Sequence, residues 1–170
     1  MKPAVRIATE ADADAVLVCL AAAFAPYQDD YTREAWLDTV LTPSTVRMRI
    51  TEMRVLVADA GGDRVVGTLA CHLSAPGHGH LRGMAVLPAW AGRGVAPLLL
   101  RAAEAHLAEQ GCAIVSLDTT APLRRAMAFY EKHGYRRTGR VTDFFGMPVY
   151  EFEKRERGGF VTDDAGRSNW

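Results

Sequence analysis

Two glycines separated by one residue, Gly92 and Gly94, stand where an apolar strand pattern gives way to a helical one. The strand pattern ends at residues 85–87, and Pro88 closes it because proline has no N–H to donate to a neighbouring strand. Pro97 lies near the predicted first helical position, where a missing N–H does no harm. Glycines let the backbone approach a ligand, and the first amides of a helix lack internal partners and face the positive end of its dipole. The stretch therefore predicts an anion site suited to a diphosphate.

Taken alone, this glycine pattern also fits other connections. Gly92-x-Gly94 could begin a dinucleotide-binding fingerprint with Asp118 as its acidic partner, but Pro97 occupies the third glycine position and a hairpin meander precedes the motif. No Gly-Lys-Ser/Thr follows, which excludes a P-loop nucleoside triphosphatase. An ordinary turn between a strand and a helix is the plainest alternative.

Length and composition are those of an ordinary globular domain, with 170 residues, 49% of them hydrophobic and 24% charged. We expect a single domain over residues 1–153 and a polar C-terminal tail over residues 154–170. The 20 Lys and Arg residues balance the 20 Asp and Glu residues, so the general basic field that nucleic-acid binding needs is missing. No nucleic-acid partner is expected.

The three cysteines, Cys19, Cys71 and Cys112, lie in apolar segments without a CxxC pair. This predicts buried free thiols and a reducing, cytoplasmic location rather than disulfides or a zinc site, and no metal is expected. The N-terminus lacks the apolar core of a signal peptide, and the longest apolar run, residues 15–25, is too short to cross a bilayer. We therefore expect no membrane partner.

Hydrophobic periodicity predicts the element order β-α-α-β-β-β-α-β-α-β-β, an α/β fold with helices on the faces of a mixed sheet. A helical crossover makes the strand that ends near residue 87 parallel to the strand at residues 113–117. Residues 44–53 are ambiguous, and residues 75–80 read as a loop. The glycine motif then lies at the carboxyl edge of two parallel strands, where ligands of open α/β sheets bind.

A second motif, FYEKHGY at residues 129–135, makes the combined pattern resemble the GCN5-related N-acetyltransferase (GNAT) superfamily. The family's acetyl-CoA loop, Q/R-x-x-G-x-G/A, matches residues 91–96 at Gly94 and Ala96, and its aromatic-Tyr-Glu-Lys-x-Gly-Phe/Tyr signature matches residues 129–135. Ala91 departs from the usual Gln or Arg, and Leu123 replaces a frequent Asn. Over residues 4–153, the resemblance implies a mostly antiparallel sheet of about six to seven strands, with splayed parallel central strands and about four helices.

The resemblance implies acetyl-CoA as co-substrate and direct transfer of its acetyl group to a primary amine in a ternary complex. It places the diphosphate on the backbone of six consecutive residues, Gly92, Arg93, Gly94, Val95, Ala96 and Pro97. It places the peptide-like pantetheine along Met84, Ala85 and Val86, with Phe129 packed against it, and a bulge at Gly83 opening the space. An amide near Val86 would stabilise the oxyanion.

The resemblance also implies Tyr130 as the acid that donates to the departing thiolate, although a buried tyrosine with a satisfied hydroxyl is the alternative. His80 occupies the position where some family members carry a Glu base, with His72 and His78 as rivals. Exposed histidines without a role are the alternative for all three. His106 and His133 are predicted to be structural.

Acceptor specificity is expected from five residues: Tyr27, Asp29, Asp30 and Tyr31 in the first helical region, and Phe144 in the last hairpin. Acids beside aromatic rings suit a cationic amine, on a small molecule or a protein, whereas a solvated loop is the alternative. The chain is expected to be a monomer or homodimer. Two rival functions remain at this point, a catalytically silent acyl-CoA-binding regulatory module and a dinucleotide-binding oxidoreductase.

Overall fold

A computed structural model describes residues 2–156 of the chain, which form one sheet with helices on both of its faces. The strands are β1 Ala4–Ile7, β2 Arg54–Asp59, β3 Val65–Ala75, β4 His78–Val86, β5 Ile114–Thr120, β6 Arg136–Phe144 and β7 Met147–Arg155. The helices are α1 Ala13–Phe24, α2 Arg33–Val40, α3 Pro43–Glu52, α4 Val95–Glu109 and α5 Arg124–Lys132.

The sheet has the strand order β1-β2-β3-β4-β5-β7-β6. Among the described strands only β4 and β5 run parallel, because α4 carries the chain from one to the other, and every other neighbouring pair is antiparallel. The predicted fold class, with its mostly antiparallel sheet and parallel central pair, is confirmed.

Two apolar clusters hold the helices to the sheet. On one face α4 packs onto the sheet through side chains such as Leu99 and Leu107, together with the fully buried Phe152 of β7. On the other face α1 and α3 contribute Leu20 and Val46. Burying a side chain of this size stabilises the fold by roughly 1.5–3 kcal/mol, so both helical layers are fixed against the strands that carry the site.

The ambiguous segment at residues 44–53 is helix α3. Thr42 caps it by accepting a hydrogen bond from the amide of Thr45 at 3.3 Å, and Pro43 occupies the first turn, where a missing N–H is tolerated. Val46 is its only fully buried side chain, so the apolar periodicity that reveals most helices is weak here. It brings the number of α-helices within residues 2–156 to five rather than about four.

Helix α4 starts at Val95, two residues earlier than Pro97 predicts. Its N-cap is Gly94, whose φ of 80° lies in the left-handed region that glycine adopts without strain. Pro97 is therefore the third residue of the helix, and its missing N–H is still one of the unpaired amides of the first turn.

Residues 75–80 form a tight reversal rather than the predicted loop, because β4 begins already at His78. The sequence His-Gly-His is typical of a loop, but these residues are extended here because they pair with β3 on one side and β5 on the other. At the other end of the chain β7 continues through Lys154 and Arg155. The remainder of the predicted polar tail, from residue 157 onward, lies outside the described residues.

No helix within residues 2–156 has both the length and the apolar character needed to cross a bilayer. In that same range, His, Cys, Asp and Glu side chains are nowhere grouped as three or more metal ligands. Cys19, Cys71 and Cys112 are free and buried, which confirms the prediction for the thiols. Burial raises the pKa of Cys71 to about 11, so it is not a thiolate nucleophile at neutral pH.

Candidate active site

The site is a gap between the two parallel strands. β4 and β5 pair only over residues 78–81 and 114–117, although β4 continues to Val86 and β5 to Thr120. The cause is a bulge, because two residues of β4, Gly83 and Met84, stand between positions whose β3 partners are separated by Leu69 alone. Gly83 has a φ of 64°. The predicted bulge and splay are therefore both present.

The gap opens into a cleft of about 620 Å³, a size typical of small-molecule sites. Nine of the predicted site residues line it: Tyr27, Tyr31, His80, Met84, Ala85, Val86, Phe129, Tyr130 and Phe144. The remaining predicted residues do not line it: Asp29, Asp30 and the six loop residues Gly92 to Pro97.

The glycine loop lies just before α4, with its amides available. Those of Gly92, Gly94, Val95 and Ala96 find no acceptor within residues 2–156. Gly92 and Gly94 have φ values of 72° and 80°, and a Cβ at either position would meet no heavy atom within 4 Å. The loop is therefore open, and its free donors lie at the positive end of the helix dipole, as a diphosphate site requires.

Arg93 differs from these four residues because its amide has an acceptor. Its N–H donates to the carbonyl of Trp90 at 3.4 Å, so that amide is partly committed to the turn. Its guanidinium lies 5.3 Å from the ring centroid of Trp90, and Arg64 lies 5.7 Å from the same ring. Two cations thus flank one aromatic ring beside the free amides.

Tyr130 is buried on α5 and lines the cleft with a hydroxyl that has no hydrogen-bond partner among the described residues. The rings of Phe129 and Tyr135 hold it edge-on, at 5.3 and 5.7 Å between centroids. By contrast, the hydroxyl of Tyr135 donates to Glu104 at 2.8 Å. Burial raises the pKa of Tyr130, so its hydroxyl stays protonated and can donate to a ligand.

His80 is held by its neighbours on β5. Nδ1 of His80 lies 2.9 Å from the hydroxyl oxygen of Ser116, which is also 3.4 Å from the carbonyl of Gly79. Nε2 lies 3.6 Å from Oδ2 of Asp118. Burial lowers the pKa of His80, while the Asp118 carboxylate acts in the opposite direction. The side chain is therefore a neutral imidazole with a lone pair available for a proton.

The other histidines occupy different places. His72 lines the cleft opposite His80, with 5.6 Å between ring centroids, and burial lowers its pKa. Its Nδ1 is buried without a partner among the described residues. His78 is exposed at the start of β4, and Nδ1 of His133 donates to the carbonyl of Phe129 at 2.7 Å. The cleft is not lined by His78, His106 or His133.

The predicted acceptor residues separate into two groups. Tyr27, Tyr31 and Phe144 line the cleft. The hydroxyl of Tyr31 lies 2.7 Å from that of Thr120, and this hydrogen bond connects the first helical region to β5. Asp29 and Asp30 are exposed on a 3-10 helix, Ala25–Asp30, and do not reach the cleft. The acidic surroundings expected for the acceptor are therefore not supplied by these two residues.

Sequence reasoning missed a charged cluster at this end of the cleft. Nη2 of Arg82 lies 2.6 Å from Oδ2 of Asp38, and Arg49 of α3 reaches the bulge at Gly83. Arg82 was detectable, because it is two residues from His80 and shares its face of β4. Arg49 and Asp38 were not, since only the packing of α2 and α3 brings them here.

Comparison with known proteins places this geometry in a family. A family model described as the acetyltransferase (GNAT) family matches residues 20–135, more than half of the chain. No curated protein matches the chain.

Solved structures share the fold. A GCN5-related N-acetyltransferase, also named aminotransferase class-II, from Rhodopseudomonas palustris is 24% identical, with a TM-score of 0.74 and coverage of 92% of this chain and 97% of that one. The PaiA N-acetyltransferase of Thermoplasma acidophilum, in complex with coenzyme A, is 17% identical, with a TM-score of 0.76 and coverage of 92% and 100%. The ribosomal-protein-alanine N-acetyltransferase of Brucella melitensis is 22% identical, with a TM-score of 0.69 and coverage of 90% and 99%.

The mostly antiparallel sheet and the family match together overturn the dinucleotide-binding alternative. The chain belongs to the acetyltransferase (GNAT) family and is an acetyl-CoA-dependent N-acetyltransferase.

Proposed function

We propose that the protein moves the acetyl group of acetyl-CoA directly onto a primary amine bound in the same cleft, with Tyr130 as the acid and His80 as the base. The observation that carries this proposal is that one cleft holds both a protonated, unpartnered tyrosine hydroxyl and a neutral imidazole with a free nitrogen. These are the two proton-transfer groups that acyl transfer to an amine needs.

The chain offers matching contacts along the length of the co-substrate. The free amides of Gly92, Gly94, Val95 and Ala96 suit the diphosphate. Beyond Leu81, the edge of β4 that faces β5 has no strand partner in the described part of the chain, so a peptide-like arm can hydrogen-bond along Met84 to Val86. When bound, acetyl-CoA supplies an activated thioester, and an unpaired amide of β4 beyond the bulge would stabilise the oxyanion.

His80 takes the proton that an ammonium acceptor must lose before it attacks. Nε2 receives this proton, and the imidazolium that forms gains an ion pair with Asp118, 3.6 Å away. In this proposal the hydrogen of the neutral imidazole is on Nδ1, where Ser116, 2.9 Å away, accepts it and keeps the ring oriented. Ser116 and Asp118 therefore act as positioning residues, because they work through His80.

Tyr130 donates its hydroxyl hydrogen to the departing sulfur. Its raised pKa keeps it protonated at neutral pH, and no side chain of the described residues competes for the hydrogen. A thiolate that receives this hydrogen bond is a better leaving group, so the contribution is realised as the carbon–sulfur bond breaks.

Replacing Tyr130 with Phe tests the proposal. We expect the turnover number to fall by about 10²- to 10³-fold in a CoA-release assay over an amine panel, with the Kd of acetyl-CoA near that of the wild type by calorimetry. Tyr135→Phe is the matched control, because it removes a buried hydroxyl that hydrogen-bonds Glu104 and does not line the cleft.

Two outcomes would contradict the proposal. Unchanged turnover in Tyr130→Phe would remove the acid role. Binding of acetyl-CoA without CoA release for any amine would support the silent regulatory module instead, an alternative that Ala91 and Leu123 motivated from the sequence.

A further inference from the structure

The guanidinium of Arg49 lies at the bulge without a carboxylate partner. Its Nη1 is 2.8 Å from the position that a Cβ on Gly83 would occupy, so it sits against the backbone where the two strands part. Within residues 2–156 its one hydrogen bond is long, 3.5 Å from Nη2 to the main-chain oxygen of Asp38, and no carboxylate lies within 4 Å of it. Four of its five N–H donors are thus left for something else.

The nearby charges do not compensate Arg49. The Asp38 carboxylate is engaged by Arg82 at 2.6 Å. The other carboxylate that lines the cleft, Asp118, faces the neutral imidazole of His80. Burial and the charge of Arg82 lower the pKa of Arg49 to about 10, which still leaves it fully charged at neutral pH.

A partly buried cation without an anion is unfavourable in the empty protein. A ligand carboxylate would neutralise this cation, because the planar guanidinium group binds a carboxylate through two parallel hydrogen bonds. Asp118 offers the complementary feature, a carboxylate beside the proposed base that can hold an ammonium group. One cleft therefore presents a cation without a carboxylate partner at Arg49 and a carboxylate beside the neutral His80 at Asp118.

We propose that the amine acetylated by this protein is an amino acid-like zwitterion, whose carboxylate binds Arg49 at the Gly83 bulge while its ammonium group approaches Asp118 and His80. This inference rests on the proposed transfer function and names its acceptor class. It replaces the purely cationic acceptor predicted from Asp29 and Asp30, which lie outside the cleft.

Atoms and charges balance in the reaction. The ammonium gives one proton to His80, which later releases it to solvent, and the resulting amine forms the new carbon–nitrogen bond as the carbon–sulfur bond breaks. The second nitrogen proton leaves after attack and offsets the proton that Tyr130 delivers to sulfur. The carboxylate takes no part in bond making, so its contribution appears in binding.

The test compares pairs of acceptors that differ only at the carboxylate, namely amino acids and their carboxamides, in α, β and γ spacing. With wild-type protein we expect kcat/KM to favour the acid by about 10- to 100-fold at the best spacing, mainly through KM, as a charge-assisted bidentate contact would give. Arg49→Gln should reduce this ratio to about one, and Arg49→Lys should retain part of it.

Arg47→Gln is the matched control. Arg47 lies on the same helix and is exposed, with Nη1 donating to the carbonyl of Pro43 at 2.7 Å, so its replacement should leave the ratio unchanged. Equal kcat/KM for acid and amide with the wild-type protein would overturn the acceptor inference alone, whether or not the variants fold. Absence of CoA release with every amine would contradict the transfer function, and the acceptor inference would fall with it.

Discussion

Two arginine–aspartate clusters in this molecule have opposite charge balances. Near the N-terminus, Arg6 binds Asp12 through two nitrogens at 2.8 and 2.9 Å and Asp59 at 3.0 Å, with Asp63 at 3.8 Å. One guanidinium there serves three carboxylates. In the cleft, two guanidiniums lie near one carboxylate: Arg82 pairs with Asp38 at 2.6 Å, and Arg49 reaches only the main-chain oxygen of Asp38 at 3.5 Å.

The pKa of the central arginine is shifted in opposite directions in the two clusters. The carboxylates around Arg6 raise its pKa, and Arg6 holds the pKa of Asp12 at about 2. In the cleft, the pKa of Arg49 is lowered, to about 10, because burial and a second cation outweigh Asp38. A cluster with surplus acceptors ties β1 to the start of α1, whereas one with surplus donors leaves binding capacity for a ligand. The Arg6 cluster therefore stabilises the fold, whereas the Arg49 cluster is proposed to bind the acceptor.

The largest expected effect on the reaction comes from His80→Gln. It should lower kcat/KM by about 10²- to 10³-fold by removing the base, while glutamine can keep a hydrogen bond to Ser116 and leave the unfolding midpoint nearly unchanged. Steady-state kinetics and urea denaturation measure the two quantities. His78→Gln is the control, since His78 is exposed and outside the cleft. An equal loss of activity in both variants would contradict the assignment.

Asp12→Asn should show the reverse pattern, a loss of about 2 kcal/mol in the free energy of unfolding with unchanged kcat/KM. The pKa of Asp12 is lowered from 3.8 to about 2 in the folded protein, so its stabilisation is present above pH 4. This contribution is lost as the pH falls through about 2. Urea denaturation against pH measures it.

Asp63→Asn provides the control for that experiment. Its side chain is 95% exposed, and it lies 3.8 Å from Arg6. Solvent screens such a pair, so the unfolding midpoint should not move. A loss of stability as large as that of Asp12→Asn would show that Arg6 depends on total charge rather than on buried contacts.

Asp118→Asn should change the pH dependence of kcat/KM. The proposed base is the neutral form of His80, so we expect kcat/KM to rise with pH through a pKa below 6.5. Asp118 raises that pKa, so its replacement should move this acidic limb to lower pH while the plateau falls about tenfold. A pH–rate profile measures both changes. An acidic limb in the same place in wild type and variant would argue against His80 as the base.

Asp38→Asn should have the smallest effect on stability, below about 1 kcal/mol, because both members of the pair are about one-third exposed. Its effect on the preference for amino acids over carboxamides should be larger, since the guanidiniums of Arg49 and Arg82 would then both lack a carboxylate partner. The KM for amino acids should fall relative to that for their carboxamides. A higher preference for carboxamides would contradict the charge balance assigned to the cleft.

Local signals were sufficient for much of this molecule. The glycine loop at Gly92 and Gly94 and the helix bearing Tyr130 follow from short motifs whose geometry depends on neighbouring residues, and the bulge at Gly83 follows from the family resemblance that these motifs carry. The parallel pair of strands follows from the length of the crossover. These are the parts of the site where chain neighbours are also spatial neighbours.

The acceptor end could not be predicted in the same way. The acids that the sequence singles out beside aromatic residues, Asp29 and Asp30, are exposed on a 3-10 helix and do not line the cleft. The charges that line the cleft, Asp38, Arg49 and Arg82, come from two helices and a strand. α3 carried too little periodicity to be recognised, so no sequence pattern brought these three residues together.

The missing side chain at Gly83 ties two properties of the protein to a single position. A methyl group there would strain a backbone with φ of 64° and would also fall 2.8 Å from Arg49. Any side chain at position 83 would therefore strain the backbone that parts the two strands and would push the Arg49 guanidinium away from it. The opening of the cleft and the place of the proposed acceptor contact thus both depend on the absence of a side chain at this position.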